Sequence, residues 1–308
     1  MHQQITVAGS PEGLPNQFNN LTISAMRRVI LFAMAATTTI AACNREANTS
    51  ENQDEDTIFV TLSFTPYKVE PFTKAAVGIA QTSKLLDVFI YYDGEEVTAI
   101  HQNKDVAEEG FGTVFASLDK TKTYTIYAVA HKGNGAATLE DGVLSWPDNK
   151  ITDTFFYTGE FTPSYATSMS CSMTRIVGMF KFKMLDAQPE NLEKVRFSVA
   201  STGLGYNVED GPVNPGEKVT LISNPSAGND GSTTFNVYCL AGDDIETIDI
   251  TITAMDADDQ VIEEKSFDDV PIQAGYITTF KGTFFVTTQM TYGFTANNEW
   301  NFFDEEDY

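Results

Sequence analysis

Positive charge, histidine and long apolar runs are scarce in this chain. Among its 308 residues, 19 Lys and Arg stand against 43 Asp and Glu, which gives a formal net charge of −24. A surface this negative repels phosphate backbones and anionic lipid head groups, so nucleic acid is not an expected partner. No apolar run reaches the roughly 18 residues of a spanning helix, so we expect no transmembrane helix.

The small number of histidines disfavours most catalytic arrangements. Only His101 and His131 lie beyond the amino-terminal region, and neither has recognisable partners for a Ser–His–Asp or Cys–His site. We expect His131, which precedes a glycine-rich turn, to make hydrogen bonds at the surface. The aspartates between Asp256 and Asp259 lack the glycine and glutamate of a calcium loop and favour a hairpin turn. The sequence therefore predicts no enzyme, no metal and no cofactor.

Cysteine is equally rare, with Cys43, Cys171 and Cys239 as the only examples. Cys171 alternates with serines in SMSCSM, and Cys239 shares a strand face with apolar residues in FNVYCL. Both positions are typical of core residues. A disulfide between them is an alternative in an oxidising compartment.

Helical periodicity is nearly absent, and apolar side chains instead recur at every second residue. The clearest example is ETIDITITAM, in which isoleucines alternate with polar residues. Segment 71–86 is ambiguous between strand and loop, and Asp186 is expected to cap one short helical turn. The candidate strands are 58–64, 87–92, 113–118, 123–131, 153–161, 174–185, 194–201, 246–255, 278–287 and 290–296.

Turn residues such as Asp93-Gly94 and Asp210-Gly211-Pro212 separate these strands. Many short strands with such spacing predict an all-β fold of antiparallel β-sandwiches. The segment FTPSYATSM carries a proline and small polar residues between two sets of strands. We therefore predict one sandwich over 57–162 and a second over 163–308.

The amino-terminal region has the composition of an export signal. Arg27 and Arg28 precede a short apolar run and then small residues, which is the layout of a secretory signal peptide over 26–42. The tetrapeptide IAAC, which ends at Cys43, resembles a bacterial lipobox. That resemblance implies diacylglycerol transfer to the Cys43 sulfur and cleavage before it. An ordinary secretory signal with an incidental cysteine is the alternative.

The segments on either side of this signal do not have the pattern of a domain. We expect residues 1–25 to precede the true start at Met26, and a long amino-terminal part of the signal is the alternative. Residues 43–56 are acidic and almost free of apolar side chains, so we expect a solvated tether. Acidic residues soon after a lipidated cysteine resemble the surface-export signal of some Gram-negative lipoproteins. The expected location is the outer membrane, through the lipid on Cys43, with the rest of the chain at the cell surface.

An ordered series of features in the second half resembles one family. RIVGMFKFKMLDAQPENLEKVRFSVASTG contains a strand, a turn from Asp186 to Pro189 and a second strand. TIDITITAMDADDQVIEEKSFDDVPIQAGYITTFKGTFF adds a hairpin, a Val270-Pro271 turn and a closing strand, and Glu299-Trp300 lies near the end. YTIYAVAHKGNG is similar to a strand of the family's first domain. With the lipobox, these features resemble FimB-type fimbrial lipoproteins, the anchor and accessory subunits related to the fimbrillins of type V pili.

The resemblance implies two transthyretin-like β-sandwiches in tandem. It also implies a fimbrial subunit that assembles with other pilins by β-strand exchange and supports cell adhesion. The candidate donor strand is 287–300, in which Met290, Tyr292 and Phe294 share a face and would fill pockets of the partner. The alternative is that this stretch pairs within its own domain.

The resemblance leaves the role as anchor, tip or shaft open. No arginine lies between Arg45 and Arg175, so arginine-directed removal of the first strand is not expected, whereas Lys68 and Lys74 remain for a lysine-directed protease. The competing function is that of a surface glycan-binding lipoprotein. In that case Trp146, in LSWPD, would stack on a sugar of a host or bacterial surface ligand.

Overall fold

The described part of the chain is built almost entirely from β-strands, which confirms the predicted all-β class. The computed structural model describes residues 56–66, 78–106, 110–165, 167–200, 203–213, 219–223, 231–285 and 291–295. Within these ranges the helical elements are α1 (Ile79–Thr82) and a 3-10 turn at Pro147–Asn149. None of the described helices has the length and apolar character needed to span a membrane.

Most of the strands are short, and they alternate between buried and exposed side chains. In chain order the strands are β1 (Thr57–Pro66), β2 (Leu85–Tyr92), β3 (Glu95–Asn103), β4 (Thr113–Asp119), β5 (Tyr124–His131), β6 (Thr138–Glu140), β7 (Val143–Ser145), β8 (Phe155–Phe161), β9 (Ser168–Arg175), β10 (Val177–Met184), β11 (Lys194–Ala200), β12 (Gly205–Asn207), β13 (Gly211–Val213), β14 (Val219–Ser223), β15 (Thr233–Leu240), β16 (Glu246–Met255), β17 (Val261–Ile272), β18 (Ile277–Gly282) and β19 (Thr291–Thr295).

The first sandwich is a seven-stranded sheet in the order β3-β2-β5-β8-β9-β1-β4. Its halves are joined by only two residue pairs between β8 and β9, and they enclose one core. Val60, Leu62 and Phe64 of β1 pack there with Val88 and Ile90 of β2. These residues are buried because the period-two alternation places every second side chain of each strand on the inner face.

The second sandwich consists of two four-stranded sheets, β15-β10-β18-β19 and β14-β11-β16-β17. Phe180 and Phe182 of β10 face Phe197 of β11 and Ile250 of β16 across the core. Phe182 contacts Phe284 edge-on, at 5.6 Å between ring centroids, and stacks on Phe235. Aromatic burial of this kind supplies much of the apolar area of a small core.

A fourth sheet, β13-β12-β7-β6, is built from both halves of the chain. Its strands β7 and β12 pair antiparallel through Tyr206 and Leu144. Beneath it lies an apolar cluster that joins Phe89 and Trp146 with Met179 of β10. The described residues belong to one compact unit that spans residues 52–308, and this cluster connects its two sandwiches.

The structure differs from the sequence-based boundaries in several places. β9 pairs with β1 and β8, so the chain leaves the first sandwich after Arg175 rather than at residue 162. The ambiguous segment contains α1 within 79–82. Asp186 caps no helix, and the Val270-Pro271 pair lies inside β17 instead of forming a turn. Proline is tolerated there because β17 is an edge strand.

Candidate functional site

The predicted donor residues lie at the carboxyl-terminal edge of the second sandwich. Tyr292 and Phe294 belong to β19, which runs antiparallel to β18 with Tyr292 opposite Phe280 and Phe294 opposite Thr278. Met290, and the lipidation residue Cys43, lie outside the described residues. In its sheet β19 is an outer strand that is hydrogen-bonded to β18. Among the described strands, none pairs with the other edge of β19.

A carboxylate holds the chain just before this strand. Asp186 accepts hydrogen bonds from the backbone N–H of Phe284, at 2.9 and 3.0 Å to its two oxygens, and from the N–H of Phe285. Phe284 itself is buried in the second core. Charge-assisted bonds of this kind are stronger than neutral ones. Asp186 therefore fixes the point from which the chain continues toward β19. The sequence pattern predicted a different role for Asp186, that of a helix cap.

One outer strand of the facing sheet, β17, is protected against pairing with another strand. β17 carries Glu264, Asp268 and Asp269 at exposed positions. Two register irregularities interrupt its pairing with β16. Charged residues and bulges are the devices by which natural sheets block edge-to-edge association. Pairing with another chain through the second sandwich is therefore directed away from β17.

A buried carboxylate lies in the first sandwich, and the prediction for its histidine partner is wrong. His131 is fully buried rather than at the surface. Its Nε2 lies 3.1 Å from Asp87 Oδ2, and Asp87 is also fully buried. The half-exposed His101 places Nδ1 2.8 Å from Asp87 Oδ1, and the backbone N–H of Ala137 donates to Oδ2 at 2.8 Å. Asp87 thus has three donors.

The hydrogen bonds define the protonation of His131. The backbone N–H of Gly133 donates to its Nδ1 at 3.1 Å, so Nδ1 carries no proton and Nε2 donates to Asp87. No hydroxyl or thiol in the described part of the chain bonds to His101, so the cluster lacks the nucleophile of a hydrolase triad. The cluster ties together β2, β3, β5 and the loop before β6.

The proposed sugar-stacking residue is not available to a ligand. Trp146 is only 4% exposed and packs beneath the fourth sheet. A buried indole cannot offer its face to a saccharide, so the interpretation of Trp146 as a glycan platform is wrong. The sequence predicted a loop at Trp146 because the neighbouring strands β6 and β7 have only three residues each. Strands of this length are too short to show an alternating pattern.

Both remaining cysteines are core residues, as predicted, and both are free thiols. Burial raises the pKa of Cys171 to about 11 and that of Cys239 to about 12. The Tyr157 hydroxyl shares the environment of Cys171, and burial raises its pKa to about 12. Within the described ranges, no group of three or more His, Cys, Asp or Glu side chains is arranged so that it could hold a metal ion.

These thiols give a direct test of the core. Because the thiolate is the reactive form, the raised pKa lowers reactivity at pH 8 by about a hundredfold for Cys171 and more for Cys239. We expect no labelling of either by iodoacetamide in the native protein and full labelling of both in denaturant, counted by peptide mass spectrometry. Rapid native labelling of Cys239 would show that the second core is not closed.

The described fold is that of an all-β protein with two sandwiches, and the outer strands of the second sandwich are β14, β15, β17 and β19. Residues 141–307, more than half of the chain, match a family model described as Family of unknown function (DUF6562), and the chain belongs to that family. No curated protein matches the chain.

Solved structures similar to the chain include fimbrial and adhesion proteins at low identity. One is the fimbrial anchor protein Mfa2 from Porphyromonas gingivalis, with 15% identity over 72% of this chain and 90% of that chain and a TM-score of 0.41. Another is a fimbrial assembly protein from Parabacteroides distasonis, with 12% identity over 82% and 100% and a TM-score of 0.43. A third, from Bacteroides thetaiotaomicron, is described as a candidate polysaccharide-binding protein, with 12% identity over 80% and 98% and a TM-score of 0.47. At these TM-scores the likeness does not bear on function.

Proposed function

We propose that this protein is a lipid-anchored fimbrial subunit that joins other pilins by exchange of its carboxyl-terminal strand. The observation that carries the proposal is the placement of β19 as an outer strand bonded only to β18 among the described strands. A strand at a sheet edge can leave its own sheet and complete that of a partner. Backbone hydrogen bonds then supply affinity and alternate side chains supply specificity.

The sequence supports this role at the other end of the chain. The lipobox at Cys43 places a diacylglycerol thioether at the start of the acidic tether, and the sandwiches follow directly. A protein with several acyl chains binds a membrane far more firmly than one with a single chain, because each buried methylene contributes about 0.8 kcal/mol to binding. The two sandwiches would then be the tandem transthyretin-like domains of FimB-type subunits, held at the outer surface of the outer membrane as an anchor or minor component.

The proposal is tested in the source bacterium with two variants. We expect the wild-type chain to incorporate an alkynyl palmitate label, to fractionate with the outer membrane and to co-purify with fimbrial subunits. Cys43→Ser should lose the label and the membrane fraction. Deletion of residues 288–308 should keep the label but lose the subunits and any detergent-resistant ladder.

A shorter deletion of residues 303–308 is the matched control, since it removes the acidic end but keeps the candidate donor strand 287–300. It should keep both the label and the co-purifying subunits. An unlabelled wild-type chain would refute the lipid anchor. Full recovery of the subunits with the longer deletion would refute strand exchange.

A further inference from the structure

The most exposed aromatic side chains among the described residues lie on one side of the first sandwich. Phe59 on β1 is 77% exposed, Phe115 on β4 is 68% exposed, and Tyr165, just before β9, is 89% exposed. Burying an exposed aromatic ring removes a large apolar area from water, so a cluster of exposed rings is a feature that a ligand can use.

The backbone register brings these rings together. Thr61 of β1 pairs with Phe115 on one side and with Ser168 of β9 on the other. Phe59 lies opposite Ser117, which makes the two phenylalanines diagonal neighbours on the same sheet face. Tyr165 lines a shallow, open pocket of about 370 Å3 beside Ser168. One continuous surface therefore runs from Phe115 across β1 to the pocket.

The strand part of this surface is uncharged in a strongly acidic protein. Every outward position of β1 and β9, and of β4 up to Ser117, is Thr, Ser or Phe. Asp119 lies at the rim, where it bonds to Thr121, and Glu160 is the one carboxylate in the pocket lining. A hydroxyl group donates and accepts hydrogen bonds at once. The strand face thus combines aromatic rings with hydrogen-bond donors and acceptors, and the carboxylates of Asp119 and Glu160 lie at its margins.

We propose that the outer face of β9-β1-β4, with the pocket at Tyr165, binds an uncharged carbohydrate chain. The C–H faces of pyranose rings pack against aromatic rings, and sugar hydroxyls match the Ser and Thr hydroxyls in being both donors and acceptors. Acidic polysaccharides are disfavoured because the chain carries a net charge of −24. The carbohydrate face and β19 lie in different sandwiches, so this activity goes beyond assembly.

The dimensions of the face argue against a second copy of the chain as its occupant. At about 3.3 Å per residue and about 4.8 Å between strands, the face measures roughly 400 Å2. A stable protein interface needs about 800 Å2 on each partner. Two copies would also approach each other with the same strong negative charge. A linear oligosaccharide needs no more than this area.

The test is calorimetric titration of the full chain with neutral oligosaccharides of glucose, mannose and xylose, and with an acidic oligogalacturonate for comparison. We expect at least one neutral probe to bind, with an affinity that is insensitive to salt, and the acidic probe to bind at least tenfold more weakly. The double variant F59A/F115A should weaken binding of the neutral probe at least tenfold. Phe115→Tyr, which keeps the ring, should retain it.

Two further variants keep the outcome decisive. Ser170→Glu places a charge on the face without removing a ring and should also weaken binding at least tenfold, whereas Ile245→Ala removes an exposed apolar side chain elsewhere and should change nothing. Absence of binding by every neutral probe at millimolar concentration would overturn the proposal. So would unchanged binding by the double variant, or dimerisation of the wild type that the double variant abolishes.

Discussion

Replacement of Asp87 by alanine is expected to lower the free energy of unfolding by about 3–5 kcal/mol. The carboxylate is fully buried and accepts hydrogen bonds from His131, His101 and the backbone of Ala137. Alanine would leave the His131 and Ala137 donors without an acceptor in a site that water does not reach. Each unsatisfied buried donor costs about 1–3 kcal/mol. The measurement is urea denaturation followed by tyrosine and tryptophan fluorescence.

Two variants separate this effect from a general loss of charge. Asp87→Asn keeps the shape and one acceptor but points an amide N–H2 toward a donor, so we expect a loss of about 2 kcal/mol. Asp268→Ala removes an exposed carboxylate from the β17 edge and should change stability by no more than about 0.5 kcal/mol. Equal midpoints for Asp87→Ala and Asp268→Ala would show that the buried cluster contributes nothing.

Replacement of Asp186 by alanine is expected to lower the free energy of local opening of β19 by about 2–4 kcal/mol. Most of the second sandwich should stay intact. Asp186 accepts from the N–H groups of Phe284 and Phe285, and a bond to a charged group contributes about 1.5–3 kcal/mol. Without Asp186, the chain that leads to β19 loses these charge-assisted bonds and is held at Phe284 by burial in the core. Native-state hydrogen exchange should show faster exchange in a peptide covering 284–295 by about thirtyfold to a thousandfold.

Asp186→Asn is the matched variant, because its amide oxygen still accepts from one backbone N–H. It should show a smaller acceleration than the alanine variant. Peptides from β11 and β16 provide the internal reference, since the N–H groups that Phe284 and Phe285 donate to Asp186 belong to neither strand. If exchange in 284–295 stayed at the wild-type rate, Asp186 would have no part in holding the strand.

Sequence periodicity predicted those parts of the fold in which local alternation decides burial. Ile250 and Ile252 in β16, Phe180 and Phe182 in β10, and Cys171 in β9 are buried as their alternation predicts. In each case the strand is long enough for the pattern to repeat, and its neighbours along the chain are sufficient to define the buried face.

Features that depend on distant partners were not accessible in this way. β9 joins β1 by parallel pairing across more than a hundred residues, and no local pattern indicates which sheet a strand enters. The acceptor of His131 is Asp87 on β2, which lies 44 residues earlier in the chain. The local sequence around His131 therefore does not show that it can be buried. Trp146 is covered by a sheet of three-residue strands, one of which, β12, comes from the second half of the chain.

The candidate site was predictable to a similar extent. The alternation in the last strand indicated Tyr292 and Phe294 as strand residues, and both lie in β19. The exposed aromatic face of β1 and β4 was not predicted. Phe59 in TIFVTLSF has apolar neighbours on both sides, so the local pattern does not show that its ring points outward. Only the pairing of Thr61 with Phe115 and Ser168 shows that the outward rings and the pocket adjoin each other.

Release of β19 from β18 is the central claim, and a reversible covalent lock tests it most directly. Lys281 of β18 is exposed and lies opposite Thr291 of β19. Antiparallel partners are about 4.5–5.5 Å apart at Cα, which suits a disulfide. Cysteines at both positions should therefore close a bond within the chain. The single variants Lys281→Cys and Thr291→Cys are the controls.

The measurement is recovery of fimbrial subunits with the oxidised and the reduced double variant in the source bacterium. Strand exchange predicts that the oxidised double variant recovers none, that reduction restores wild-type recovery, and that both single variants behave like wild type throughout. Equal recovery with the lock closed and open would mean that assembly proceeds while β19 stays on β18, and strand exchange by this chain would be contradicted.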